Sequence, residues 1–240
     1  MTDAREETPI LEVIACSVAD AVAAEKGGAN RLEVVRDLKQ GGLTPSLDLV
    51  REIANAVSLP LRVMLRESPG YGVSGTEEID RLHVAAERFA SLGIDGLVLG
   101  FIRLGEIDVD TTNQLLACAP QMRATFHHAF EAASNTSRAL SEIKRMPQID
   151  RILCSGGTDE LEQRVKRLDE CERAGAPELK ILAGGGIDGE AILKIRRATR
   201  VREFHVGRAA REHCQVDGGV QASLVSRLVE LCTESVGPRE

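Results

Sequence analysis

Short apolar runs and longer amphipathic stretches alternate along almost the whole chain. The first run, Leu11-Glu12-Val13-Ile14-Ala15, reads as a strand. The stretch after it is helical in pattern, with Ser17 placed to cap it and Gly27-Gly28 to end it. Further strands are predicted at 31–35, 61–65, 96–99, 123–127, 151–154, 180–183 and 203–206. Each is followed by a helical pattern, at about 46–56, 76–92, 111–119, 137–145, 159–174, 189–199 and 219–232. Proline at the opening of the second helix (Thr44-Pro45-Ser46) fits, because the N–H it lacks would have no helical partner there.

Strands alternating with helices argue a parallel sheet. Eight such units close into a ring, whereas an open doubly wound sheet usually has fewer. The expected fold is therefore α/β, a (β/α)8 TIM barrel, with residues 1–240 forming one domain. No composition shift marks a boundary, and the acidic, polar stretch Met1–Pro9 is expected to be a flexible N-terminal tail.

Composition narrows the partners. A net charge of −7 offers no basic face for phosphate backbones, and one Tyr with no Trp offers little for base stacking, so nucleic acid is not an expected partner. No apolar run approaches the ~18 residues of a membrane span. The six cysteines include no C-x-x-C pair, so neither a disulfide framework nor a zinc ribbon is expected. Reduced thiols and the lack of an apolar leader fit a cytoplasmic address.

In a parallel barrel the chemistry gathers where strands end. Glu12 and Glu33 share the frame Leu-Glu-Val on adjacent strands, and period-two alternation can turn both carboxylates inward. Arg62 and Arg66 share a face of the third strand, and either could neutralise them. A structural ion-pair network and a substrate or metal site both account for these charges.

The other strand ends carry Cys16, His127-His128, Cys154-Ser155-Gly156, Gly184-Gly185-Gly186, and His205 followed by Gly207-Arg208. Barrels commonly hold phosphate in the loops after strands seven and eight. Gly185, Gly186, Gly207 and Arg208 occupy those loops, although the glycines would equally serve a tight turn. Arg66 and Ser155 are further candidates for contacting an anion.

Neighbouring residues on a strand point opposite ways, so one of His127 and His128 is expected to enter the barrel, and His127 is the choice. With Glu12 or Glu33 as partner it is expected to move a proton beside a carbonyl, as in an isomerase, epimerase or lyase. A divalent ion between Glu33 and His127 is a further option. Histidines hydrogen-bonded in the rim are the structural alternative.

Several segments together resemble the CutC family. They are Gly27-Gly28-Ala29-Asn30-Arg31-Leu32-Glu33, Gly41-Gly42-Leu43-Thr44-Pro45-Ser46, Val63-Met64-Leu65-Arg66, Thr125-Phe126-His127, Asp150-Arg151-Ile152-Leu153, Gly184-Gly185-Gly186-Ile187 and Val201-Arg202-Glu203-Phe204-His205. The resemblance spans about residues 11–206. It implies a TIM-barrel-like fold, a cytoplasmic protein that is often a homodimer, and a link to copper homeostasis.

Copper or another divalent metal would then be the cofactor or cargo, with Cys16 and His205 the candidate ligands because strands one and eight are neighbours in a closed ring. The chain departs from the family at the site end. Val34-Val35 stands where a cysteine follows the strand-two Glu-Leu pair, His128 replaces an arginine, and Glu131 an aspartate. Two functions stay open: copper binding, and an enzyme acting on a small anionic molecule.

Overall fold

Alternating side chains inside each apolar run decide how the chain closes. In the computed structural model, which describes residues 8–234, eight parallel strands form a closed barrel in chain order. They are β1 (Ile10–Ala15), β2 (Arg31–Val34), β3 (Leu61–Met64), β4 (Gly96–Leu99), β5 (Arg123–Phe126), β6 (Ile149–Cys154), β7 (Lys180–Ala183) and β8 (Glu203–Val206). The helices between them are α1 (Val18–Lys26), α2 (Leu47–Ala56), α3 (Thr76–Ala90), α4 (Val109–Ala117), α5 (Thr136–Ile143), α6 (Leu161–Gly175), α7 (Gly189–Ala198) and α8 (Ala222–Thr233). The expected (β/α)8 barrel is what the chain forms. Of the expected tail, residues 1–7 lie outside the described residues.

Local chemistry sets the helix starts. Ser17 accepts from the Asp20 N–H at 3.1 Å, as its capping position requires. Ser46 caps α2 through the Leu49 N–H at 3.2 Å, which leaves Pro45 just outside the helix. Asp188 caps α7 through Ala191 N–H at 3.0 Å.

The pattern did not announce a small hairpin (Ile102–Arg103 with Glu106–Ile107) or a one-turn helix at Ala129–Ala132, both too short to show a period.

One face of every strand packs on the helices. Leu11, Val13, Leu32, Val34, Val63, Leu65, Leu97, Leu99, Phe126, Ile181 and Phe204 belong to that main core. A second, smaller cluster of Ile14, Val35, Met64 and Val98 is separate from it and fills one side of the barrel interior.

The rest of the interior is ionic. Arg31 bonds Glu12 and, at 2.9 Å, Glu203. Arg151 reaches Glu203 at 2.8 Å and Asp150 at 2.7 Å, and Arg62 joins Asp150 at 2.9 Å to Asp95. These residues sit at or near the starts of their strands, so the chain of charges closes the N-terminal end of the barrel. Gly96 makes room for it, since a Cβ there would lie 2.9 Å from Arg62 Nη1 and 2.3 Å from the Arg123 carbonyl oxygen. Of the two arginines that could neutralise Glu12 or Glu33, Arg66 acts on Glu33 but Arg62 does not pair with either, and Arg31 bonds Glu12. The reason is register: Glu12 lies beside Arg31 and His205, while Arg62 lies beside Glu33 and Gly96 and turns toward the aspartates.

Candidate active site at the strand ends

Above the ionic floor lies a cavity of about 540 Å3, within the usual range for a small-molecule site. Its wall includes Glu33, Arg66, Tyr71, His127, His128, Gly185, Gly186, His205, Gly207 and Arg208. Most of the residues singled out from the sequence therefore meet at one mouth. Glu12 lies beneath it, buried against Arg31. Two further candidates do not line this cavity either. Ser155 spends its hydroxyl on Glu131 at 2.7 Å. Cys16 lines a separate recess with Asp20, Lys39 and Arg211.

The deepest group is a carboxylate–imidazole–carboxylate array. His205 Nδ1 is 2.7 Å from Glu12 Oε1, and its Nε2 is 3.6 Å from Glu33 Oε2. Burial resists ionisation of Glu12, yet the Arg31 guanidinium and His205 hold it well below the usual carboxylate range. Burial pushes Glu33 up to about 7, with His205 pulling the other way and Glu12 adding to the rise. Burial also works against a charged His205, but Glu33 and Glu12 raise it above the ordinary imidazole value. Two neighbouring acids thus differ sharply in how readily they ionise, which is how acid and base roles separate in enzymes.

Glu33 Oε1, Arg66 Nε and His127 Nε2 are buried without a hydrogen-bond partner. His127 Nδ1 accepts the Ala129 N–H at 3.2 Å, so the neutral ring carries its proton on Nε2. Burial, then Arg66 and His128, lower this histidine well below 6.5, keeping it neutral. Arg66 donates from Nη2 to the Gln40 carbonyl at 2.9 Å and lies over the Tyr71 ring, 5.6 Å from its centroid.

The cradle on the opposite rim is backbone. Gly185 and Gly186 both have left-handed φ, +71° and +81°, and a Cβ on Gly185 would meet Ser155 Cβ at 2.5 Å. Arg208 Nη2 comes within 3.8 Å of where a Gly186 Cβ would sit.

Glu12, Glu33 and His205 each offer a ligand atom within 4.8 Å of the others. That oxygen–nitrogen set suits a hard or borderline divalent cation, and no thiol belongs to it. The pair expected for copper, Cys16 with His205, is not engaged with each other. Cys16 faces Asp20 and Arg211, the latter at 3.6 Å from its Sγ, and burial pushes its thiol up to about 11. Of the metal option placed on Glu33 and His127, Glu33 belongs to this group, 3.6 Å from His205 Nε2, and His127 does not.

Sequence and shape comparisons bear on the family and the fold. The CutC family profile matches residues 9–210. The chain belongs to the CutC family. It is 33% identical over 196 residues to a CutC family protein of Xylella fastidiosa (strain Temecula1), covering 81% of this chain and 73% of that one. A CutC family protein of Bacteroides fragilis (strain YCH46) is 33% identical over 200 residues, 82% of this chain and 78% of the relative.

Among solved structures, a Streptococcus agalactiae protein described as the copper homeostasis protein CutC superposes with a TM-score of 0.77 at 23% identity, over 83% of this chain and 98% of that one. Phosphoribosyl anthranilate isomerase from Thermococcus kodakaraensis gives 0.62 at 13% identity, over 95% and 100%. At those identities the likeness is one of fold. No helix among the described residues is long and apolar enough to cross a membrane.

Tyr71, Arg31 and Glu131 were not singled out as site residues by the pattern of the sequence, and His128, passed over in favour of His127, lines the cavity with it. Tyr71 carried one usable signal, as the chain's single tyrosine in a loop after a strand end.

Proposed function

We propose that this CutC protein is an enzyme that binds a small anionic, carbonyl-bearing metabolite and moves a proton beside the carbonyl. The observation that carries the reading is that three of the seven partnerless buried side-chain atoms among the described residues, Glu33 Oε1, Arg66 Nε and His127 Nε2, belong to residues that line one cavity. Folded proteins pair nearly all their buried polar groups, and a bound ligand, ion or catalytic role is one account of three exceptions meeting in a single cavity.

Roles follow from protonation. Glu33, raised toward neutrality by burial, is the base. His127 is the neutral donor, its Nε2–H suited to the oxygen on which charge develops, a role worth about 10²–10³ in rate for a single donor. This reassigns the proton-accepting task from His127 to Glu33. Arg66 and Arg208, with the Gly185-Gly186 turn and Gly207, hold the anionic group.

The test is solvent deuterium wash-in to a panel of small phosphorylated and carboxylated ketones and aldehydes, read by mass spectrometry. The enzyme should label at least one member, and the E33Q variant should label none. Calorimetry with inorganic phosphate should show binding that weakens about tenfold or more in R208Q. No labelling together with no phosphate binding would remove the proposal.

A second reading, copper handling, rests on the family name and on the Glu12–Glu33–His205 set. Those residues could hold a borderline ion such as Cu(II), which would supply Lewis acidity next to the Glu33 carboxylate. They lack the thiolates that Cu(I) favours.

A further inference from the structure

The cavity contains a second imidazole that the reading above leaves unused. His128 lines the same wall beside Gly185, where a Cβ would come 3.4 Å from the His128 Cε1. Its Nδ1 sits 2.9 Å from Glu131 Oε2. Glu131 is itself locked in place, accepting from the Ser155 N–H at 2.9 Å, the Ser155 hydroxyl at 2.7 Å and the Gly157 N–H at 3.0 Å, with the Cys154 thiol at 3.6 Å. Burial resists its ionisation, but His128 and Ser155 bring it down to about 2.

An ionised carboxylate can only accept. The proton of neutral His128 therefore sits on Nδ1, and Nε2 presents a lone pair. The adjacent His127 has the reverse assignment, because the Ala129 N–H occupies its Nδ1. Five consecutive residues, His127-His128-Ala129-Phe130-Glu131, thus give one mouth a fixed donor and a fixed acceptor.

We infer that His128, oriented by Glu131, is a second proton-handling residue of the site, so that the substrate undergoes epimerisation at the carbon beside its carbonyl. The inference rests on the proton-transfer reading above. Ionised Glu33 removes a proton from carbon, and the C–H electron pair becomes the C=C of an enolate whose oxygen accepts from His127. His128, having taken a proton on Nε2, then delivers it to the opposite face of the same carbon as the carbonyl re-forms, and in the reverse direction its Nε2 lone pair is the base. Glu33 afterwards releases its proton to solvent and His128 regains one, leaving no net gain or loss. The charged and titratable groups around His128 are Glu131 and His127 on its own segment, Arg66 and Tyr71 after β3, Asp188 and Arg208 across the rim, and Arg164, which donates to the Gly185 carbonyl at 2.8 Å. Glu131 holds the ring directly and is a positioning residue.

The test is 15N imidazole NMR of the whole protein, with H128Q to assign the resonance. In the neutral form His128 should be protonated on Nδ1 and His127 on Nε2. E131Q should turn the His128 signal into a mixture of tautomers, and saturating inorganic phosphate should shift His128 Nε2 in the wild type. Protonation of His128 on Nε2, or phosphate binding that leaves its resonance unmoved, would overturn this inference alone. Failure of phosphate to bind at all would overturn the anion site, and this inference with it.

Discussion

Glu12 and His205 face each other at 2.7 Å, and that contact fixes the direction of the imidazole. With Nδ1 committed to Glu12, Nε2 can only look toward Glu33. One acid is kept ionised by Arg31, and the other is left deep in the barrel without a full partner. The asymmetry makes the site sensitive to pH in ways that can be measured.

The raised Glu33 has a definite sign in stability. A carboxyl whose folded pKa exceeds its unfolded value keeps its proton in the native state after the unfolded state has lost it. Stability therefore falls as pH rises from about 4.5 toward 7, and the penalty is complete above that. E33Q removes it. The variant should gain stability over the wild type at pH 8, on the order of 1–3 kcal/mol, and the gain should shrink by pH 5. Thermal unfolding at the two pH values checks this.

His127 works from the other side. Its folded pKa is depressed by burial, so below about 6.5 the unfolded state takes up a proton that the native state refuses. H127Q should flatten the acid limb of the stability curve. It should also slow turnover by about 10²–10³, the range for a lost oxyanion donor. An unaltered acid limb in urea melts from pH 7 to 4 would contradict the buried, neutral ring.

Removing Arg31 should cost far more than a surface charge. R31M leaves Glu12 and Glu203 buried with lost partners, a change typically worth about 3–5 kcal/mol. Urea unfolding at pH 7 should show this loss. Because the network is buried, the wild-type midpoint should change little between 0.05 and 0.5 M salt (about, by the screening length).

Metal binding discriminates between the two ligand sets. Titration with a divalent ion should show uptake that E33Q abolishes and C16S leaves unchanged, since the Cys16 thiol is pushed up to about 11 and a thiol must ionise to ligate. Uptake should be stronger at pH 8 than at pH 6, because Glu33 and His205 must both give up protons. Loss of uptake in C16S would restore the cysteine to the site.

The barrel was legible because its signal is repeated eight times, and strand parity turned Glu12 and Glu33 inward as expected. What parity cannot give is which neighbour a long side chain selects. Arg62 and Arg31 each occupy inward positions, yet the choice between glutamate and aspartate partners depends on the stagger of adjacent strands. The roles of the two histidines were hidden for a related reason. Strand alternation would place His127 and His128 on opposite faces, but the chain leaves the strand after Phe126 and turns into the Ala129–Ala132 helix, so both reach the cavity. Hydrogen bonds from Ala129 and to Glu131, which no spacing rule encodes, then decide what each ring can do.

The plug of guanidinium and carboxylate groups lies across the base of the barrel, so the chamber opens toward the strand ends, where its lining loops are. If the proposed reaction takes place there, substrate and product would share that mouth, and product added to the free protein should compete with substrate.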